Sequence, residues 1–123
     1  MQLILDHPHH TNLIRGYSEH TVTVNEQTYQ CSVVVMPHTL ITDWAPQSLA
    51  ELEAHHLIQL LELQPEMVLL GTGPRQQFPH PRLTGPLMAE GVGVEVMDTQ
   101  AACRTYNIVM AEGRAVAAAL LLG

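Results

Sequence analysis

Gly91-Val-Gly-Val-Glu-Val-Met-Asp-Thr99, followed by Gln100-Ala-Ala-Cys-Arg-Thr-Tyr-Asn107, Glu112-Gly-Arg114 and the apolar run Ala115–Leu122, decides the fold. Val92–Met97 is β-branched and reads as a strand. Asp98 or Thr99 is a helix N-cap, because a short side-chain oxygen there accepts from a free first-turn amide. The helix runs to about Glu112, and Gly113 supplies a left-handed stop. Ala115–Leu122 is then a buried strand. Two strands joined through a helix lie parallel in one sheet.

The alternation extends upstream. Met67-Val-Leu-Leu70 is a short apolar strand that exits through Gly71-Thr-Gly73. Residues 74–82 hold Pro74, Pro79 and Pro81 and read as loop. Thr84–Glu90 is a short helix closed by Gly91. Ser48-Leu-Ala-Glu51 has the form of a capping box. It opens a helix expected to reach about Leu63, with Leu49, Leu52, His56, Leu60 and Leu63 on one stripe and Pro65 as its stop. The first third is β-rich. Asn12–Tyr17 is one candidate strand. Thr21–Val24 and Thr28–Met36 pair about the turn Asn25-Glu-Gln27, Pro37 ends the second, and Leu40–Trp44 is a further short strand. The expectation is one α/β domain over residues 1–123, with a mixed, mostly parallel central sheet, helices on its faces and an N-terminal antiparallel β-hairpin.

Composition narrows the function. The chain of 123 residues is 46% hydrophobic and 14% charged, which suits a packed core rather than disorder. It has no Lys and a formal charge of -7. Nucleic acid is therefore excluded as a partner, since phosphate binding needs a basic footprint. No segment has the length of a membrane span, and Met1-Gln-Leu-Ile-Leu-Asp6 lacks the cationic start of a signal peptide. Cys31 and Cys103 form no C-x-x-C, so the expected location is cytoplasmic and reducing.

Leu69-Leu-Gly-Thr-Gly73, Gly93-Val-Glu-Val-Met-Asp-Thr99, Ala101-Ala-Cys-Arg-Thr-Tyr-Asn107, and Glu112-Gly-Arg114 before Ala118-Ala-Leu120 form a specific set of motifs. Through them the chain resembles a small α/β domain family of unknown function that includes mitochondrial respiratory complex I assembly factor three and an adipogenesis-associated relative. The likeness covers nearly the whole chain. It implies a three-layer domain with a mixed central sheet and an added hairpin. It implies action through protein partners and no established catalytic activity or cofactor.

Candidate site residues come from the strand exits. Gly71, Thr72 and Gly73 let backbone amides approach an anion. A dinucleotide fingerprint would need a third glycine and an immediate helix, and Pro74 intervenes. Asp98 and Thr99 open a helix whose free amides also suit an anion, unless the capping side chains occupy those amides. If the two strands are parallel neighbours, both loops share one crevice. Arg75 and Arg82 are the cations beside it, and Tyr106, with Arg104 or Asn107, borders it. The other reading makes Tyr106 a packed residue and leaves Arg104 and Asn107 in solvent. Cys103, near a helix N-terminus and Arg104, is a candidate low-pKa thiol or a structural one.

Three further features carry alternatives. Trp44 is a candidate protein-binding anchor if exposed and a core residue if not. His7, His9 and His10 are a possible metal cluster or an adventitious one, whereas adjacent His55 and His56 diverge by about 100° on a helix and cannot chelate one ion alone. Arg114 is expected to form a structural ion pair. None of the three serines lies in a nucleophile elbow. The leading reading is a non-catalytic binding or assembly domain. The alternative is a binder or enzyme for a small anionic metabolite at Gly71–Gly73 and Asp98–Thr99.

Overall fold

Val33–Val35 (β5), Met67–Gly71 (β7) and Val116–Leu120 (β9) form the middle of a mixed sheet, and every residue in them is buried. Both faces of this sheet are covered, which is why these strands are apolar without alternation. The structure, a computed structural model, describes residues 3–6 and 10–123. Among the described residues the sheet is completed by Leu3–Asp6 (β1), Thr39–Thr42 (β6) and Gly93–Met97 (β8), in the order β1-β6-β5-β9-β7-β8. The parallel pairings are β9–β7 and β7–β8; β5 and β6 extend the sheet antiparallel toward β1.

Side chains alternate between two cores. Val33, Val35, Met67, Leu69, Val116, Ala118 and Leu120 point to one, which the helix Thr99–Ala111 (α3) covers with Ala102, Cys103, Tyr106 and Val109. Val34, Val68, Leu70, Ala117, Ala119 and Leu121 point to the other. That face is covered by residues of Ala54–Ile58 (α1) and Pro81–Ala89 (α2), with Trp44, Leu52 and Leu60. The chain thus has helix, sheet and helix layers.

The expected hairpin is present, with a difference. Ile14–Tyr17 (β2), Val22–Val24 (β3) and Gln27–Tyr29 (β4) form a separate antiparallel sheet. Its turn uses Asn25 in the left-handed region at φ 56°. Thr28–Met36 is therefore two strands in two sheets, because Ser32 breaks the run. The buried Ser32 carbonyl accepts from the Trp44 amide at 2.7 Å, and its amide donates to the Gln47 side chain. Ile14, Val22 and Val24 join the core beneath α3, so the small sheet packs over that helix layer.

The expected helix from Ser48 to Leu63 is three short pieces: a 3₁₀ turn at Leu49–Glu51, α1, and a 3₁₀ turn at Gln59–Leu63. Ser48 makes no side-chain cap. Glu51 accepts from the Gln47 amide instead, at 3.2 Å. The capping box forms five residues later, between Glu53 and His56. Buried Leu52 has an extended backbone, so the apolar stripe is satisfied without a continuous helix. α2 starts at Pro81, earlier than expected, with Pro in its first turn, where its missing N–H costs nothing.

Candidate functional site

The two strand exits singled out in the sequence do meet. β7 and β8 are parallel neighbours, with Gly71 opposite Met97. β7 leads to α2 on one face of the sheet and β8 to α3 on the other. Adjacent strands whose connections leave on opposite faces open a crevice at the sheet's carboxyl edge, the usual ligand position in open α/β folds.

In this chain the crevice is closed by its own residues. The Gly73 amide donates to Thr99 Oγ1 at 2.8 Å, and Thr99 Oγ1 donates to the Leu121 carbonyl at 2.7 Å. The Thr99 amide donates to the Gly73 carbonyl, the Leu121 amide to the Gly71 carbonyl, and the Thr72 amide to the Met97 carbonyl. Asp98 Oδ1 accepts from the Ala101 amide at 2.8 Å, so the capping reading holds at the helix N-terminus. The amides of Thr72, Gly73, Thr99 and Ala101 thus already have partners. Gly71 is required by closeness: a Cβ there would lie 2.9 Å from Thr99 Cα. Gly73 is required by its φ of 107°. Thr72 Oγ1 donates to the Arg75 carbonyl at 2.8 Å and accepts from the Gln77 amide at 3.0 Å, fixing the following turn. Arg75 and Arg82 are exposed.

Other candidates sit elsewhere. Tyr106 is fully buried beneath α3 and donates to the Asn12 carbonyl at 2.8 Å; burial pushes its hydroxyl pKa up. It does not border the crevice. Asn107 is half-buried rather than left in solvent, and its side chain accepts from the Ile14 amide and donates to the Ile14 carbonyl, pinning β2 to α3. Arg104 remains at the surface and donates to the Tyr17 hydroxyl at 3.1 Å. Cys103 is buried, and burial pushes its thiol up to about 12 despite the pull of Arg104; this is a structural cysteine, not an activated one.

Trp44 is fully buried, so the surface-anchor reading is corrected: it fills the core in a T-shaped contact with His56. Arg114 pairs with Glu66 at 3.4 Å across the bottom of the sheet. His7 and His9 lie outside the described residues. His10 offers its carbonyl to His38 Nδ1 at 3.0 Å. His55 and His56 come closer than helix geometry suggests, with ring centroids 4.1 Å apart beside Glu53. However, His56 Nδ1 accepts from the Glu53 amide at 2.9 Å. That ring carries its proton on Nε2, so neither nitrogen has a free lone pair for an ion while the cap is intact.

Sequence reasoning missed one surface. Phe78, the sole Phe of the chain, is 84% exposed in the loop between β7 and α2. β8 is the sheet's outermost strand on that side, and the Val96 carbonyl on its free edge accepts from Gln76 Nε2 at 3.2 Å. The loop and the strand edge are therefore one surface. The signal available was an aromatic residue between prolines with no apolar periodicity around it. Among the described residues, no helix is long and apolar enough to cross a membrane.

The comparisons with known proteins agree with this architecture. The chain is 35% identical over 111 residues to an NADH dehydrogenase [ubiquinone] 1 alpha subcomplex assembly factor 3 from Danio rerio, a match covering 89% of this chain and 63% of that protein. It therefore spans about three-fifths of the length of that relative. The crystal structure of a Bordetella parapertussis protein superposes with a TM-score of 0.88 at 42% identity, covering 94% of this chain and 99% of the other. A Bordetella pertussis protein described as an Mth938-like domain gives a TM-score of 0.80 at 36% identity, covering 90% and 85%. The family model for proteins of unknown function DUF498/DUF598 matches residues 14–121. With that match over most of its length, and with the mixed sheet, added hairpin and crossed-over α3 in place, the chain belongs to the DUF498/DUF598 family.

Proposed function

We propose that this chain is a non-catalytic, assembly-type domain that acts by binding other proteins through the Phe78 loop and the free edge of β8. The observation that carries the reading is the exposure of Phe78 at 84% beside β8, the outer strand of the sheet among the described residues. A large apolar ring held in water next to an outer strand is the anatomy of an interaction anchor. The names of the assembly-factor relatives support the same reading. The polar corner at Gly71–Gly73 supports it too, because its groups are engaged with one another. The free, widely separated cysteines accord with a reducing, cytoplasmic setting.

The test is co-purification from cells. The tagged wild-type chain is expected to retain a stoichiometric protein partner that Phe78→Ala loses. Ile108→Ala, an exposed apolar residue on α3, is expected to keep it. An identical set of proteins with and without Phe78, or none with either, overturns the reading.

The switch-point geometry favours a second reading, a small anionic ligand at Gly71, Thr72, Gly73, Asp98 and Thr99 with Arg75 at the mouth. Such a ligand would have to displace the Leu121 carbonyl from Thr99. At a concentration of 100 Kd it would stabilise the fold by about 2.7 kcal/mol. A thermal-shift screen of anionic metabolites with no hit removes this reading.

A further inference from the structure

The cover over the Trp44 side of the sheet contains a capping bond to an imidazole nitrogen, which a proton can break. α1 is only five residues long and is flanked by two 3₁₀ turns. Helices this short are marginal by themselves, so end contacts decide whether they form. Here both ends of one reciprocal pairing are present. The His56 amide donates to the Glu53 carbonyl at 3.0 Å, and the Glu53 amide donates to His56 Nδ1 at 2.9 Å. The second bond requires a lone pair on Nδ1, which only neutral imidazole has. Behind the ring lies fully buried Trp44, at 6.3 Å between ring centroids and 75° between planes. Trp44 Nε1 is buried and, among the described residues, has no hydrogen-bond partner.

We propose that His56 is a proton-operated latch: protonation turns Nδ1 into a donor facing the Glu53 amide, breaks the cap, and releases the Ser48–Leu63 cover from the core around Trp44. The released cover would uncover the apolar side chains Leu52, Leu57 and Leu60. The latch stands apart from the Phe78 surface and holds whether or not that surface binds a partner.

The charges acting on His56 set the direction. Burial lowers its pKa first and neighbouring His55 lowers it further, while Glu53 and Glu51 raise it. α2 packs on α1 and carries Arg82, with His80 at its N-cap and Glu90 at its C-cap, and the flanking segments carry Asp43 and Glu62. The net shift is downward from the ordinary value of 6.5. The closed cover therefore favours neutral His56. Its contribution is complete above the ordinary pKa and is lost as the pH falls through the lowered one. One proton changes the open-to-closed ratio by at most about tenfold per pH unit.

Trp44 is the sole Trp, so its emission reports the cover directly. Between pH 8 and pH 5 the wild-type chain is expected to show a reversible red shift of Trp emission with its midpoint below the ordinary His value. His56→Gln keeps a side-chain acceptor that cannot titrate, so its emission stays flat. His55→Gln removes an opposing charge and moves the midpoint to higher pH. A flat wild-type titration, or the same shift in His56→Gln, overturns the proposal. Quenching without a red shift overturns it as well, since His56 would then be protonated under a closed cover. If His56→Gln does not fold at pH 8, the imidazole nitrogen shifts of the wild-type chain decide. A proton on Nε2 of His56 at pH 8, lost as a distinct tautomer when the emission moves, supports the latch; a proton on Nδ1 at pH 8 overturns it.

Discussion

Two layers cover the same sheet by different means. On one face α3 is a single helix of 13 residues. It is capped by Asp98 and braced by the buried Tyr106 hydroxyl and the two-way Asn107 clamp on Ile14. On the other face the Ser48–Leu63 cover is three short pieces with extended backbone between the first two. Both faces of the sheet are lined by buried apolar side chains, so burial alone does not explain the difference. The α3 layer is held by buried and half-buried hydrogen bonds of long sequence separation. Within Ser48–Leu63 the other layer depends on leucines and on local bonds, Glu51 with the Gln47 amide and Glu53 with His56. Buried polar bonds fix a single position, whereas apolar contacts alone permit several. The comparison teaches that the continuous helix lies where polar anchors reach across the chain, and the broken cover where apolar side chains do most of the packing.

The largest expected effect breaks the weaker layer. Leu57 is fully buried in α1, and Leu57→Ala is expected to cost about 3 kcal/mol in urea unfolding. Native-state hydrogen exchange should show lost protection across residues 49–63 and unchanged relative protection within α3. Equal loss in both would mean that the layers are one unit.

The two caps sharpen the contrast at smaller scale. Asp98 accepts from the Ala101 amide, and Asp98→Ala should cost about 1 kcal/mol. Ser48 makes no side-chain cap, so Ser48→Ala should change stability by less than about 0.5 kcal/mol. Equal losses from these two substitutions would restore the capping box expected at Ser48-Leu-Ala-Glu51.

The smallest effect is chemical and leaves stability untouched. With its thiol pushed up to about 12 by burial under α3, Cys103 should resist alkylation of the native chain at pH 8, while exposed Cys31 reacts. Both should react in denaturant. Rapid native labelling of Cys103 would show that the α3 layer opens more readily than its anchors imply.

Much of the fold was legible locally. Asp98, Gly91 and Gly113 work as cap and stops because each acts on its own turn, and both glycines have positive φ. The apolar runs of β7 and β9 read as strands because two-sided burial leaves no alternation. The Ser48–Leu63 stripe misled because helical spacing of leucines states which residues are buried, not whether the backbone between them is continuous. Trp44 could not be assigned to surface or core because nothing nearby in sequence tells which face a strand-end residue meets. The two loops do meet, with Gly71 opposite Met97, yet the occupancy of their corner by Thr99 and Leu121 was invisible. Those bonds span 26 and 22 residues.

By itself the sequence determined the α/β class, the parallel β7–α2–β8–α3–β9 succession, the hairpin turn and the family, all of which rest on neighbours a few positions apart. Only the tertiary structure decided that the switch point is plugged, that Trp44 and Tyr106 are interior, that Asn107 ties the small sheet to α3, and that Phe78 is left in water. It also decided that His56 meets Glu53 in a cap backed by Trp44. Each of these depends on which distant groups come within hydrogen-bond reach, and that is set by packing of the layers rather than by any local pattern.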